Sequence, residues 1–291
     1  MKIKDLFKTS PRTFSFEFFP PKDEIAAVDF GINVGQLLKL NPSFVSVTYG
    51  AGGSSQERTF VLVDYLQNKI GLNTMAHYTC VGAAMEKIRD DMSLLRQLNI
   101  ENLMLLRGDP PRGSQQFIAP ENGFSHASDL IAFVKGNFSF SVGAAAYPEK
   151  HPESDTREND LKNLYVKFKA GADFLVTQFF FDNTAFYRFA DLALKAGITC
   201  RIIPGIIPVT GYKQIKRYAE MTSATFPPEL LDKLESNQDN PDKIYQIGID
   251  HAIKQCIDLL EKGAPGLHFY TLNKSRAAVE VFESLPRLMR E

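Results

Sequence analysis

Eight apolar segments of four to seven residues recur along the chain, each followed by a stretch with helical apolar periodicity. This alternation constrains the fold more than any other feature, because a repeating strand–helix unit folds as a parallel sheet covered by helices. The segments are 13–19, 44–48, 73–79, 102–106, 138–144, 174–179, 200–203 and 267–271. Helices are expected over 23–40, 56–70, 84–98, 128–135, 156–169, 184–196, 213–220, 228–234, 242–261 and 275–284. No linker, low-complexity tract or further repeat interrupts the pattern. At 291 residues the chain has the length of a (β/α)8 TIM barrel, about 250 residues, with one or two extra helices before the last strand. The expectation is a single catalytic barrel domain over residues 1–291. A doubly wound open sheet is the alternative, since alternation alone does not establish closure.

The first strand carries a carboxylate that needs an explanation. Phe14, Phe16 and Phe18 share one parity, the spacing of a strand face packed on apolar neighbours, while Ser15 and Glu17 share the other. Pro20-Pro21 ends the segment and leaves Glu17 near its C-terminal end. A carboxylate in such a strand is paired, protonated or open to a wet cavity, because burying it bare is costly. Taken alone, Glu17 reads equally as a structural ion-pair residue or as a catalytic acid. Its neighbours in the pattern favour the second. Glu17, Thr48, His77, Arg107 with Asp109, Tyr147, Gln178 and Thr271 each lie at or just past the C-terminal end of a different strand. In a barrel those ends converge on the face where active sites are built.

Several function classes are disfavoured. A net charge of -1 gives no electrostatic case for nucleic acid or an anionic membrane. Cys80, Cys200 and Cys256 are widely spaced and form no CxxC, which reads as reduced thiols in a cytoplasmic protein. The first residues lack the apolar core of a secretion signal, and no stretch has the length of a membrane span. The five histidines show no HxH or HExxH spacing, so no metal site is expected. No strand carries an interior lysine for Schiff-base chemistry, and no GxSxG elbow occurs. The glycine-rich stretch after the second strand, residues 50–55, lacks the third glycine of GxGxxG. It reads either as a flexible βα loop or as backbone able to approach a flat ring or a phosphate. On the helix after the fifth strand, Asp160, Asn163 and Lys167 fall at i, i+3 and i+7 on one face. That stripe is either a solvated face or a grip for an extended polar ligand.

A set of longer motifs carries a resemblance. Ser15-Phe16-Glu17-Phe18-Phe19-Pro20-Pro21, Val47-Thr48-Tyr49-Gly50-Ala51-Gly52-Gly53, Leu106-Arg107-Gly108-Asp109 and Tyr147-Pro148-Glu149 with His151-Pro152-Glu153 occur in order. Thr177-Gln178-Phe179-Phe180-Phe181-Asp182, Ile203-Pro204-Gly205-Ile206-Ile207-Pro208 and His268-Phe269-Tyr270-Thr271-Leu272-Asn273 follow. From about residue 12 to 285 the chain resembles the methylenetetrahydrofolate reductase family in its short bacterial form. No adenosylmethionine-binding regulatory region is expected.

The resemblance implies a flavoprotein on a (β/α)8 barrel. It would use NADH or NADPH to reduce FAD, and then 5,10-methylenetetrahydrofolate to 5-methyltetrahydrofolate, in a ping-pong reaction that feeds methionine synthesis. By the same resemblance Glu17 is the general acid, and Asp109 stabilises a cationic iminium intermediate beside the flavin. Tyr49, Ala51, His77, Arg107, Gly108, Asp109, Ala127, Tyr147, His151, Asp160, Asn163 and Lys167 would line the FAD site, with Thr48 meeting the nicotinamide. Gln178, Gln214, Tyr218 and Lys274 would meet the folate. Tyr218 stands where the family often has phenylalanine and Lys274 where it often has arginine, and a lysine cannot reproduce a bidentate fork. Another flavin-dependent amine oxidoreductase on the same barrel is the alternative, and a folate- or flavin-binding subunit without turnover is a third reading. The partners expected are small molecules, with a homo-oligomer as the assembly.

Overall fold

The computed structural model describes residues 1–49, 56–109 and 119–290. A short helix α1 (Ile3–Thr9) precedes β1 (Thr13–Phe18) and α2 (Glu24–Leu38). Then follow β2 (Phe44–Val47), α3 (Gln56–Asp64), β3 (Thr74–Thr79), α4 (Met85–Gln97), β4 (Asn102–Leu106) and α5 (Ala127–Asn137). The second half runs β5 (Ser141–Ala146), α6 (Arg157–Lys169), β6 (Phe174–Phe179), α7 (Asn183–Lys195) and β7 (Arg201–Ile206). Three helices, α8 (Tyr212–Thr222), α9 (Pro228–Glu235) and α10 (Pro241–Glu261), lead to β8 (Gly266–Tyr270), α11 (Ser275–Glu283) and α12 (Arg287–Arg290). The eight strands form a closed parallel barrel in chain order, with β1 paired to both β2 and β8. The open-sheet alternative is thereby excluded.

Several elements differ from the sequence reading. The fifth strand begins at Ser141 and not at residue 138, because the preceding segment serves as the exit from α5, with Phe138 N–H bonded to the Val134 carbonyl. The seventh strand does not stop at Pro204-Gly205 but continues to Ile206. Proline lacks an N–H for the ladder. Here the β6–β7 register shifts between Val176 and Phe179, and Gly205 N–H bonds the Thr177 hydroxyl instead. The third helix changes to a π-helical turn over Tyr65–Lys69. Helix α1 was not expected at all: seven residues without a strong apolar period give little signal.

The parity of β1 holds in three dimensions. Phe14 meets Phe282 of α11 edge-on at 5.0 Å and Phe18 meets Phe30 of α2 at 5.5 Å, so the phenylalanines face the helical layer. The other parity looks into the barrel. Its lower layers are filled by Phe44, Met75, Met104, Phe174, Val176 and Ile203, with Ile3 of α1 closing the floor. Asn102 accepts from the Ile3 N–H at 2.7 Å and Ser141 Oγ from that of Lys4 at 3.1 Å. The guanidinium of Arg201 donates to the Phe7 carbonyl and lies 4.7 Å from its ring centroid. The plug makes the lower barrel a packed core and raises the polar side chains onto its upper end.

Glycines make room for large side chains at two levels of the barrel, Gly143 in the packed lower layers and Gly205 nearer the mouth. A Cβ on Gly143 would stand 2.7 Å from the Phe174 ring, and one on Gly205 would stand 2.3 Å from the Thr177 carbonyl. Tyr270 lies across Gly205 and donates its hydroxyl to that same carbonyl at 2.7 Å. Helices α8, α9 and α10 pack on a separate apolar cluster around Phe179, Phe181, Val209, Tyr212, Ile215 and Leu234. Among the described residues no helix is long and apolar enough to cross a membrane. Cys80, Cys200 and Cys256 are free thiols.

Candidate active site

Barrel closure assembles the first part of the site. The β1–β8 register sets Ser15 against His268 and Glu17 against Tyr270. Glu17 is 7% exposed, and its Oε2 lies 3.4 Å from His77 Nε2 and 3.6 Å from His268 Nε2. His268 Nδ1 is 2.7 Å from Ser15 Oγ, so the ring is held from its far side. Thr271 Oγ1 donates to the Glu17 carbonyl at 2.6 Å and fixes the backbone beneath the carboxyl. Burial holds the His77 imidazole below its ordinary pKa, against the pull of the Glu17 charge, so it is neutral near pH 7. Among the described residues Glu17 has no lysine or arginine within ion-pair distance. A carboxyl flanked by imidazoles at the barrel mouth, with no fixed cation beside it, stands where a side-chain acid or base could meet a ligand.

The second part is an elongated groove over β3, β4, β5 and α6. One cavity of about 280 Å³ is lined by Tyr49, Thr79, Arg107, Gly108, Asp109 and Tyr147, among others. A second, of about 400 Å³, is lined by His126, Glu153, Ser154, Asp160 and Asn163. Arg107, Ala127, His151 and Lys167 line both, which joins them into one channel. Gly108 makes the turn at the junction with φ +90, where a Cβ would lie 2.6 Å from Val81 Cγ1. Only glycine adopts that conformation cheaply, and its bare backbone leaves the approach open. The stripe on α6 faces this groove. Asp160 accepts from the His151 N–H at 3.0 Å and Lys167 Nζ donates to the Ala145 carbonyl at 2.6 Å. The Arg107 guanidinium makes a fork with Glu153, both N–O distances being 2.6 Å.

The groove perturbs its own titratable groups. Burial pushes the Tyr147 hydroxyl up to about 12, with the Asp109 charge adding and a hydrogen bond with Gln178 opposing. Burial lowers Lys167 to about 8, with Asp160 pulling the other way. His151 is likewise lowered by burial. At neutral pH the groove thus holds two cations, Arg107 and a protonated but easily discharged Lys167, among the carboxylates of Asp109, Glu153 and Asp160.

The sequence-derived candidates fall into two groups. Thr48, Tyr49, His77, Arg107, Gly108, Asp109, Ala127, Tyr147, His151, Asp160, Asn163, Lys167 and Gln178 gather at the barrel mouth and groove. Ala51 lies outside the described residues. Gln214, Tyr218 and Lys274 line neither cavity: Gln214 Nε2 donates to the Tyr218 hydroxyl at 3.1 Å along α8, and Lys274 is an exposed residue opening α11. Sequence reasoning missed Thr79, Glu153, His268 and Tyr270 as parts of the site. Thr79 shares the inward parity of His77, and His268 that of Tyr270, so a strict parity count along each strand finds three of the four.

The profile of the methylenetetrahydrofolate reductase family matches residues 2–286. The chain is 36% identical over 295 residues to "Methylenetetrahydrofolate reductase (NADH) 1" of Arabidopsis thaliana, covering 98% of this chain and 50% of that protein. It therefore spans about half the length of the plant relatives it matches. It is also 36% identical over 271 residues to "5,10-methylenetetrahydrofolate reductase" of Escherichia coli strain K12, covering 93% of this chain and 90% of that one. A solved Clostridium thermocellum protein, described as binding two copies of 5-methyl-5,6,7,8-tetrahydrofolic acid, shares the fold. Its TM-score is 0.66 at 14% identity, over 97% of this chain and 96% of that one. With the profile spanning nearly every residue from the floor helix to the end of α11, the chain belongs to the methylenetetrahydrofolate reductase family.

Proposed function

We propose that the chain reduces 5,10-methylenetetrahydrofolate to 5-methyltetrahydrofolate with a hydride from NADH or NADPH, carried by FAD bound in the groove. The observation that carries this reading is a set of buried polar atoms without hydrogen-bond partners. Thr48 Oγ1, His77 Nε2 and Thr79 Oγ1 are such atoms, at the mouth ends of β2 and β3. Each is a donor or acceptor that the side chains around it do not use, and a polar ring system laid over the strand ends would satisfy it. The joined channel beside them suits a flat ring linked to an anionic, hydroxyl-rich tail. Thr48, Tyr49, His77, Thr79 and the open backbone at Gly108 would hold the ring. Arg107 and Lys167 would meet the diphosphate, and Asp160, Asn163 and His151 the ribose hydroxyls and adenosine end. Bound there, FAD would accept a hydride from the nicotinamide and deliver it to the folate. The name of the Arabidopsis relative supports NADH as the donor.

The residues of the chain supply the acid–base part. Glu17 gives a proton to N10 of the folate as the bond from N10 to the bridging methylene breaks, which leaves a cationic iminium at N5. An amine departs well only when protonated, and the position of the carboxyl among His77 and His268 supports that role. Asp109 lends a negative charge to the iminium, a stabilisation worth more in a channel than in bulk water. Gln178, hydrogen-bonded to Tyr147, presents an amide to the pterin edge. Delivery of the hydride to the methylene carbon completes the methyl group. Overall, one nicotinamide hydride and one proton are consumed per folate. The test is spectroscopic. The purified protein should carry releasable, non-covalent FAD that NADH bleaches without oxygen and that methylenetetrahydrofolate then restores. A colourless protein that also fails to bind added FAD rules the reading out.

A further inference from the structure

The fork between Arg107 and Glu153 occupies the seat that an anionic ligand would need. Arg107 lines both cavities, whereas Glu153 lines the outer one. Its carboxylate takes Nη1 and Nη2 end-on, each at 2.6 Å, a bidentate geometry in which a guanidinium also holds a phosphate. The two partners are unequal in their surroundings: the Arg107 side chain is 23% exposed and that of Glu153 is 53% exposed. Glu153 can therefore rotate into water, while Arg107 stays within the groove.

Two further contacts distinguish a competitor from a support. Arg107 Nε donates to the Gly108 carbonyl at 3.1 Å, so the guanidinium is oriented by its own backbone whether or not Glu153 is present. The Glu153 N–H donates to His151 Nδ1 at 3.1 Å, so the loop keeps its path when the carboxylate leaves. The surrounding charge points the same way. A diphosphate arriving at Arg107 also meets Asp109 and Asp160, and each further carboxylate in that set opposes it.

We propose that Glu153 is an internal stand-in for the diphosphate, holding the Arg107 fork until the cofactor displaces it and so setting a ceiling on cofactor affinity. The inference rests on the proposed seat for FAD. Glu153 touches no reacting atom in this scheme; it acts through Arg107 as a positioning residue.

The experiment is titration of FAD-free protein with FAD, followed by fluorescence, for the wild type and Glu153→Gln at low and high salt. The glutamine keeps the shape and loses the charge. Glu153→Gln is expected to bind FAD roughly two- to fivefold more tightly at low salt, the scale of one exposed ion pair. The gain should shrink as salt screens the charges. In an Arg107→Met background the same substitution should give no gain through the fork, because the two residues act on one another. Unchanged or weaker binding by Glu153→Gln, in a protein whose wild type binds FAD, overturns this inference and leaves the proposed function standing. A wild type that binds no FAD overturns both. A gain that persists in full at high salt or without Arg107 also overturns it, since it would then not be competition for the guanidinium.

Discussion

The two sides of the barrel mouth are built differently. On the side of β3, β4, β5 and α6, the polar residues stand on strand ends and on one helical stripe, and they converge on a joined channel. On the side that follows β7, the candidates lie on α8 and in the loop after β8. There Gln214 and Tyr218 are bonded to one another and Lys274 is exposed. The cause is the packing. Barrel register places the first group to within the spacing of a strand, whereas α8 rests on an apolar cluster of its own with α9 and α10. A rigid scaffold preorganises one half of a site, and the other half is left to be completed by what binds there.

Glu17 lies between the two sides and gives the strongest test of whether they act separately. Glu17→Gln keeps the volume and removes the titratable proton. FAD binding and reduction by NADH should be retained, because neither needs this acid. Reoxidation by methylenetetrahydrofolate should slow by roughly 10²–10⁴-fold, the scale of a lost general acid. Stopped-flow absorbance of each half-reaction makes the measurement. Loss of FAD from the variant would mean that the two sides share one structural element and that the contrast is false.

Lys167 sharpens the description of the preorganised side through pH. Its ammonium titrates at about 8 in the folded chain, below the ordinary 10.5. Between those values the unfolded chain holds the proton and the folded chain has released it. Lys167 therefore makes the FAD-free protein gain stability as pH rises through this window. An anionic cofactor prefers the protonated lysine, so its affinity should fall above about pH 8, by up to roughly tenfold per pH unit. The two slopes have opposite signs. Thermal melting and FAD titration from about pH 7 to about pH 10 should show both, and Lys167→Met should flatten both. An affinity that is level across that range would remove Lys167 from the anion seat.

The same contrast explains what the sequence made legible. The strand–helix alternation and the parity of β1 carried over because each is a local rule with one solution in a barrel. The reach of β7 past Pro204 was not legible, since it depends on a register shift against β6 and on the Thr177 hydroxyl standing in for a ladder partner. Helix α1 was invisible for a similar reason: its hydrogen bonds to Asn102 and Ser141 are long-range, and nothing within seven residues announces them. Glu153 was quoted as part of a motif, yet its pairing with Arg107 spans 46 positions and belongs to the tertiary fold. His268 likewise enters only as part of a motif, and only closure of β8 on β1 brings it to Glu17.

The smallest expected effect lies on the less organised side. Lys274 opens α11 after Leu272 and Asn273, both in the left-handed region at φ 51 and 59. The loop is held by Asn273, which accepts from the Phe19 N–H and donates to the Phe19 carbonyl, both at 2.8 Å. Removing the Lys274 side chain therefore leaves the loop in place and takes away one exposed charge. A point charge in water contributes little to holding a carboxylate tail, and a lysine offers no planar fork. Lys274→Ala should raise KM for the folate by about two- to fivefold with kcat unchanged, the mark of binding lost equally from ground and transition states. Lys274→Arg should lower KM below the wild-type value, most clearly for folates with a longer anionic tail. A loss well beyond tenfold, or a fall in kcat, would mean that this side grips its ligand as firmly as the groove does, and the difference between the two sides would have to be abandoned.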